Sequence, residues 1–143
     1  MPTVRTAGAS IHYVESGTGP PLVLLPGLGC SLDIWDPQIA SFATEHRVVA
    51  IDPRGVGGSS RLAGWRRILP RQAADVAAVM DHLDIDRAVV CGVSYGGVLA
   101  QRFAIDFPQR VAGLVTVDSF CDTRPRSISE ALNLAVLYAT GWM

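Results

Sequence analysis

The sequence predicts an α/β protein, a mostly parallel sheet flanked by helices. Three observations carry this expectation. Short β-rich runs alternate with helical ones along the chain. Residues 22–25, Leu-Val-Leu-Leu, are wholly apolar, as a strand buried on both faces should be. Ala73, Val76, Ala77, Met80 and Leu83 keep helical spacing between two such runs.

Taken in order, residues 3–6 and 10–15 read as two short strands joined through Ala7-Gly8-Ala9, and residues 16–21 as a Gly/Pro loop. Asp36-Pro37 reads as a helix entry, Asp as N-cap and Pro in the first turn, with Ile39, Ala40, Phe42 and Ala43 expected inside. Residues 47–51 form the next buried strand and 55–67 a Gly/Arg-rich loop. Pro70 opens a helix, 87–91 is a strand, and 96–107 is a helix stopped by Pro108. Residues 111–117 are a further strand, and 127–138 read as one more helix.

Composition narrows the partners. The 143 residues hold 12 basic and 13 acidic side chains, every basic one an arginine, for a net charge of −1. Neither nucleic acid nor an anionic membrane surface is implied. No run approaches a membrane-spanning length and no signal-like segment opens the chain, so the expectation is a cytoplasmic protein. Cys30, Cys91 and Cys121 lack any metal-ligand spacing and read as free buried thiols. No metal and no cofactor are expected.

The chemistry concentrates in Gly92-Val93-Ser94-Tyr95-Gly96-Gly97, a G-x-S-x-G pattern between a β-rich run and a helix. A sharp strand-to-helix turn strains the backbone of Ser94 and lifts its hydroxyl clear of the sheet. Small residues at Gly92, Gly96 and Gly97 let strand and helix meet. The competing account is a glycine-rich turn with an incidental serine. Pro26-Gly27-Leu28-Gly29 follows an earlier strand and can aim a backbone N–H at the space above Ser94. The N–H groups of Leu28 and Tyr95 would then form an oxyanion hole, each donor worth about 3 kcal/mol in a transition state. Asp52-Pro53-Arg54-Gly55-Val56-Gly57-Gly58-Ser59 reads as a structural turn in which Asp52 and Arg54 pair to pin the strand-end loops.

These three motifs, in this order and spacing, resemble the α/β-hydrolase superfamily over nearly all of residues 10–120. The resemblance implies Ser94 as a nucleophile forming an acyl-enzyme on an ester, lactone or related acyl or C–C substrate, with Leu28 and Tyr95 at the oxyanion positions. A serine at 94 sets the chain apart from the branches that use aspartate there. Pro26 stands where many members have histidine, a difference of loop geometry. The implied fold is the first six strands, the elbow and the start of a cap, with residues 1–120 as core and 121–143 as the cap segment. Family order is nucleophile, acid, histidine, in chains about twice this length. Here His12, His46 and His82 all precede Ser94, so no base is identified, and Asp118 is the one candidate acid.

Expectations follow. The chain alone is inactive, Ser94 being an ordinary alcohol without a base. It pairs with a complementing C-terminal half or with itself. Two rival readings are a non-catalytic remnant or binding module on the hydrolase scaffold, and a dinucleotide-binding oxidoreductase using Gly27-x-Gly29 and Asp52. Against the second, Leu32 stands where the third glycine belongs. A phosphate-binding loop is excluded, since Val98 follows Gly97 and the chain has no lysine.

Overall fold

The protein is described by a computed structural model covering residues 2–62, 64, 67–121, 127–129 and 132. Its strands are β1 (Thr3–Thr6), β2 (Ala9–Ser16), β3 (Pro21–Leu25), β4 (Arg47–Ile51), β5 (Ala88–Val93) and β6 (Val111–Val117). The helices are α1 (Asp36–Phe42), α2 (Ile68–His82) and α3 (Tyr95–Asp106), with short 3-10 turns at Leu32–Trp35 and Pro108–Arg110. Of the predicted helix over 127–138, residues 127–129 and 132 are described and the rest lies outside the described residues.

One sheet orders the strands β1-β2-β4-β3-β5-β6. β1 and β2 run antiparallel, as do β2 and β4, and the remaining pairs are parallel. The parallel strands are apolar on both faces because both faces are roofed. On one face Val23, Leu25, Val49, Ile51, Ala88 and Val90 pack under α2 and α3, through Val76, Met80, Leu99 and Phe103. On the other, Leu22, Leu24, Val48 and Ala50 pack under Leu32 and Trp35.

Four details differ from expectation. Helix α1 buries no residue fully: Ile39 and Ala43 are half-buried, while Ala40 and Phe42 are exposed. Ile39 and Ala43, four apart, share one face, and Leu32 and Trp35 already cover the sheet beside it. The 3-10 turn also runs straight into α1, so Trp35 rather than Asp36 takes the N-cap position. Helix α2 begins two residues before Pro70, which is tolerated there because the first four helical N–H groups have no acceptor within the helix. The thiols are free but not buried: Cys30 and Cys91 are half-buried and Cys121 is exposed. Cys91 lies on the face roofed by Leu32 and Trp35, toward β6.

Toward β6 this face is apolar and, among the described residues, only partly covered. Val89, Cys91 and Val93 of β5 are half-buried, and their β6 neighbours Val115 and Val117 are each 44% exposed. Among the described residues β6 has no strand on its outer side. An edge of this kind invites pairing with another chain. The 143-residue chain is therefore expected to self-associate and to bind dyes for exposed apolar surface. Size-exclusion chromatography with light scattering decides this, and a monodisperse, dye-silent monomer is the contrary result.

Candidate active site

The turn from β5 into α3 is a single residue. β5 ends at Val93, α3 begins at Tyr95, and Ser94 between them has φ 52°, ψ −117°. For a residue with a Cβ that conformation costs on the order of 1–3 kcal/mol. It is enforced by two backbone approaches. A Cβ on Gly92 would lie 2.5 Å from the Gly97 nitrogen and closer still to the Gly96 carbonyl. A Cβ on Gly96 would lie 2.5 Å from the Pro26 oxygen and would collide with the carbonyl of Leu25. Helix α3 thus starts against the exits of two strands, β5 and β3. The Ser94 N–H donates to the Val117 carbonyl at 2.9 Å, and the residue is exposed.

The glycine loop after β3 lies over this turn. Leu25 pairs with Gly92 in the sheet, so the chain leaves β3 beside the elbow. A Cβ on Gly27 would be 3.7 Å from the Ser94 Cβ, an ordinary contact. The Cys30 N–H closes the loop onto the Gly27 carbonyl at 3.1 Å. Among the described residues, neither the Leu28 N–H nor the Tyr95 N–H donates to a protein acceptor. Tyr95 is the first residue of α3, where a helical N–H has no internal partner. Ser94, the Gly27-Leu28 loop and Tyr95 thus gather at the carboxyl ends of β3 and β5, where open α/β sheets place their sites.

Asp52 and Arg54 do not pair with each other as expected. The buried Asp52 carboxylate accepts the Leu32 N–H at 2.7 Å and the Gly58 N–H at 2.8 Å, and meets His12 Nδ1 at 2.8 Å. Arg54 instead forms a bidentate pair with Asp75 of α2, both contacts 2.6 Å, and Thr6 Oγ1 donates to the same carboxylate. Buried charges need all their hydrogen-bonding capacity met, and these two are met separately. The hydrogen bond and charge of Asp75 raise the Arg54 pKa, against the opposing effect of burial. Gln72 continues the network, donating to the Arg54 carbonyl at 3.2 Å and accepting the Tyr95 hydroxyl at 2.7 Å. Sequence reading passed over Gln72 and Asp75. Their signal was two polar residues within the apolar stripe of α2, where unpaired ones are not tolerated.

None of the three histidines stands at the elbow. His12 lies three strand spacings from β5, about 14 Å, and is engaged by Asp52. His46 precedes β4, and His82 ends α2 where the chain turns back toward β5, so both occupy the opposite edge of the sheet. Asp118 follows β6 at the elbow's edge, exposed, with φ 45°. A cavity of about 470 Å³ bordered by Asp81, Asp84, Asp86 and Arg110 also lies at the far edge, away from Ser94.

Two outcomes follow from the buried network. Asp75→Asn leaves the Arg54 charge uncompensated and is expected to cost roughly 3–5 kcal/mol, read as a lowered urea midpoint at unchanged slope. Burial pushes the Tyr95 phenol up to about 12 from its ordinary value of 10.0. The unfolded chain therefore ionises first, and stability held below pH 10 is lost as pH rises toward 12. In thermal melts on either side of pH 10, Tyr95→Phe is expected to show a shallower alkaline decline.

Comparison with known proteins agrees with this architecture. The family described as alpha/beta hydrolase fold matches residues 20–142. The 3-oxoadipate enol-lactonase 2 of Acinetobacter baylyi is 35% identical over 119 residues, covering 82% of this chain and 44% of that protein. A poly(3-hydroxyalkanoate) depolymerase of Ectopseudomonas oleovorans is 41% identical over 95 residues, 66% of this chain and 33% of its own length. The crystal structure of the enol-lactonase from Burkholderia xenovorans superposes with a TM-score of 0.80 at 30% identity, covering 99% of this chain and 55% of that one. The chain spans about half the length of these relatives, or less. With sheet order, elbow geometry and family match in agreement, the chain belongs to the α/β-hydrolase family.

Proposed function

We propose that this chain supplies the nucleophile half of a serine hydrolase acting on esters or lactones. The observation that carries the reading is the exposed Ser94 at φ 52°, ψ −117°, beside two uncommitted N–H groups. Ser94 Oγ attacks the acyl carbon, and the carbonyl oxygen takes the negative charge. The N–H groups of Leu28 and Tyr95, with the N-terminal end of α3 behind them, stabilise that charge. The alkoxy oxygen leaves with a proton, as a free alcohol from an ester or still tethered to the acyl chain from a lactone; an acyl-Ser94 remains, and water releases the acid. The lactonases and the depolymerase among the relatives support an ester or lactone as substrate.

The reaction needs a base that takes the Ser94 proton and returns it to the leaving group. His12 is held by Asp52, and His46 and His82 lie at the other edge of the sheet, so that base comes from residues other than these 143. Asp118 is the candidate acid, and a C-terminal half carrying the histidine is the partner implied. The alternative, a binding module on the same scaffold, would leave Ser94 without acyl chemistry.

The test is a p-nitrophenyl acetate assay of the 143-residue chain beside its Ser94→Ala variant. Equal, buffer-like rates are expected, and a large Ser94-dependent turnover overturns the assignment of the base to other residues. Intact-mass analysis after exposure to a fluorophosphonate is expected to show slow, single labelling that Ser94→Ala abolishes. Labelling spread over other serines, or none, favours the scaffold.

A further inference from the structure

The chain leaving β6 grips Ser94 at both ends of its backbone. The Ser94 N–H donates to the Val117 carbonyl at 2.9 Å, and the Ser119 hydroxyl donates to the Ser94 carbonyl at 2.7 Å. The last residue of β6 and the second residue beyond it thus hold the two backbone polar groups of Ser94. The residue between them, Asp118, has φ 45°. Among the described residues only four non-glycine positions have positive φ, and Ser94 and Asp118 are two of them. Asp118 makes its turn between the two residues that bond Ser94.

The glycine at 97 belongs to the same arrangement. A Cβ there would lie 2.5 Å from the Ser119 Cβ and closer to its Oγ, whereas the nearest backbone atom, the Gly92 oxygen, is 3.1 Å away. Gly92 and Gly96 are required by backbone. Gly97 is required by one side chain, that of Ser119.

The consequence lies in the peptide unit joining Ser94 to Tyr95. That unit is planar and trans, so its C=O and N–H point in opposite directions. A group that fixes the Ser94 carbonyl fixes the direction of the Tyr95 N–H. The carbonyl also accepts the N–H groups of Gly97 at 3.0 Å and Val98 at 3.3 Å, the first bonds of α3. The hydroxyl adds a constraint from outside the helix. We propose that Ser119 is a positioning residue: by holding the Ser94 carbonyl it aims the Tyr95 N–H at the oxygen of a bound acyl group. Its role in acyl chemistry rests on Ser94 being the nucleophile, whereas its grip on the peptide does not.

Two readouts on the 143-residue chain separate these. The first is amide hydrogen exchange, which needs no chemistry at Ser94. Ser119→Ala is expected to speed exchange at Gly97 and Val98 about tenfold relative to the rest of α3, the effect of one ordinary hydrogen bond, at a nearly unchanged melting temperature. The second is the rate of fluorophosphonate labelling at Ser94. It is expected to fall about tenfold in Ser119→Ala and to be largely restored in Ser119→Thr, which keeps the hydroxyl. Gly97→Ala, which displaces the Ser119 side chain without removing it, is expected to reproduce the Ser119→Ala pattern. Should Ser119→Ala unfold, Ser119→Cys, with a weak donor, is expected to label at an intermediate rate. Unchanged exchange at Gly97 and Val98 together with unchanged labelling, in either Ser119→Ala or Ser119→Cys, overturns the proposal. If the unsubstituted chain does not label, the nucleophile reading fails and the exchange data alone decide whether Ser119 holds the peptide.

Discussion

The contact on which the rest depends is between bare backbones, where the start of α3 meets the ends of β3 and β5. Gly92 and Gly96 permit it, and any Cβ at either position would push the helix off the sheet. Because the approach is so close, only one residue remains to reverse the chain, and that residue must take a conformation its Cβ disfavours. The strain at Ser94 is thus a consequence of packing. It persists because α3 is anchored elsewhere: Leu99 and Phe103 are fully buried against the sheet. Burying two such side chains is worth roughly 3–6 kcal/mol, more than the roughly 1–3 kcal/mol of the strained turn.

A second constraint acts on the loops. The parallel strands deliver their ends to one edge of the sheet, but loops drawn from β3 and β4 have no ladder to hold them. Asp52 supplies one by tying the Leu32 and Gly58 amides to β2 through His12. Arg54 and Asp75 fasten the same loop to α2, and Gln72 passes that attachment to Tyr95. A buried ion pair gains little net stability over an apolar replacement, but breaking it strands a charge. The network therefore restricts which loop arrangements are tolerable, including those that would move Tyr95.

Most of the fold was legible because it is written in local periodicity. The bounds of β1, β4 and β6 agree residue for residue with the sequence reading, and the other strands and helices among the described residues differ by one or two residues at their ends. The errors cluster where a local rule met a distant neighbour. Phe42 was expected inside because it is apolar, yet Leu32 and Trp35 already occupy the surface it would cover. Asp52 and Arg54 were paired because they are near in sequence. Their partners lie 40 and 21 residues away.

The sequence by itself determined the order of strands and helices along the chain and a sharp strand-to-helix turn around Ser94. Apolar spacing and glycine placement act over a few residues and carry their own physical meaning. Within these 143 residues all three histidines precede the candidate nucleophile. Only the tertiary structure decided which groups meet at the carboxyl edge of the sheet. The Gly27 loop over Ser94, the carboxylate of Asp52 among its three donors, and the Ser119 hydroxyl on the Ser94 carbonyl are all through-space relations. Their energies depend on burial and on distances of a few ångströms between segments far apart in the chain. No pattern local to any one of those segments encodes them.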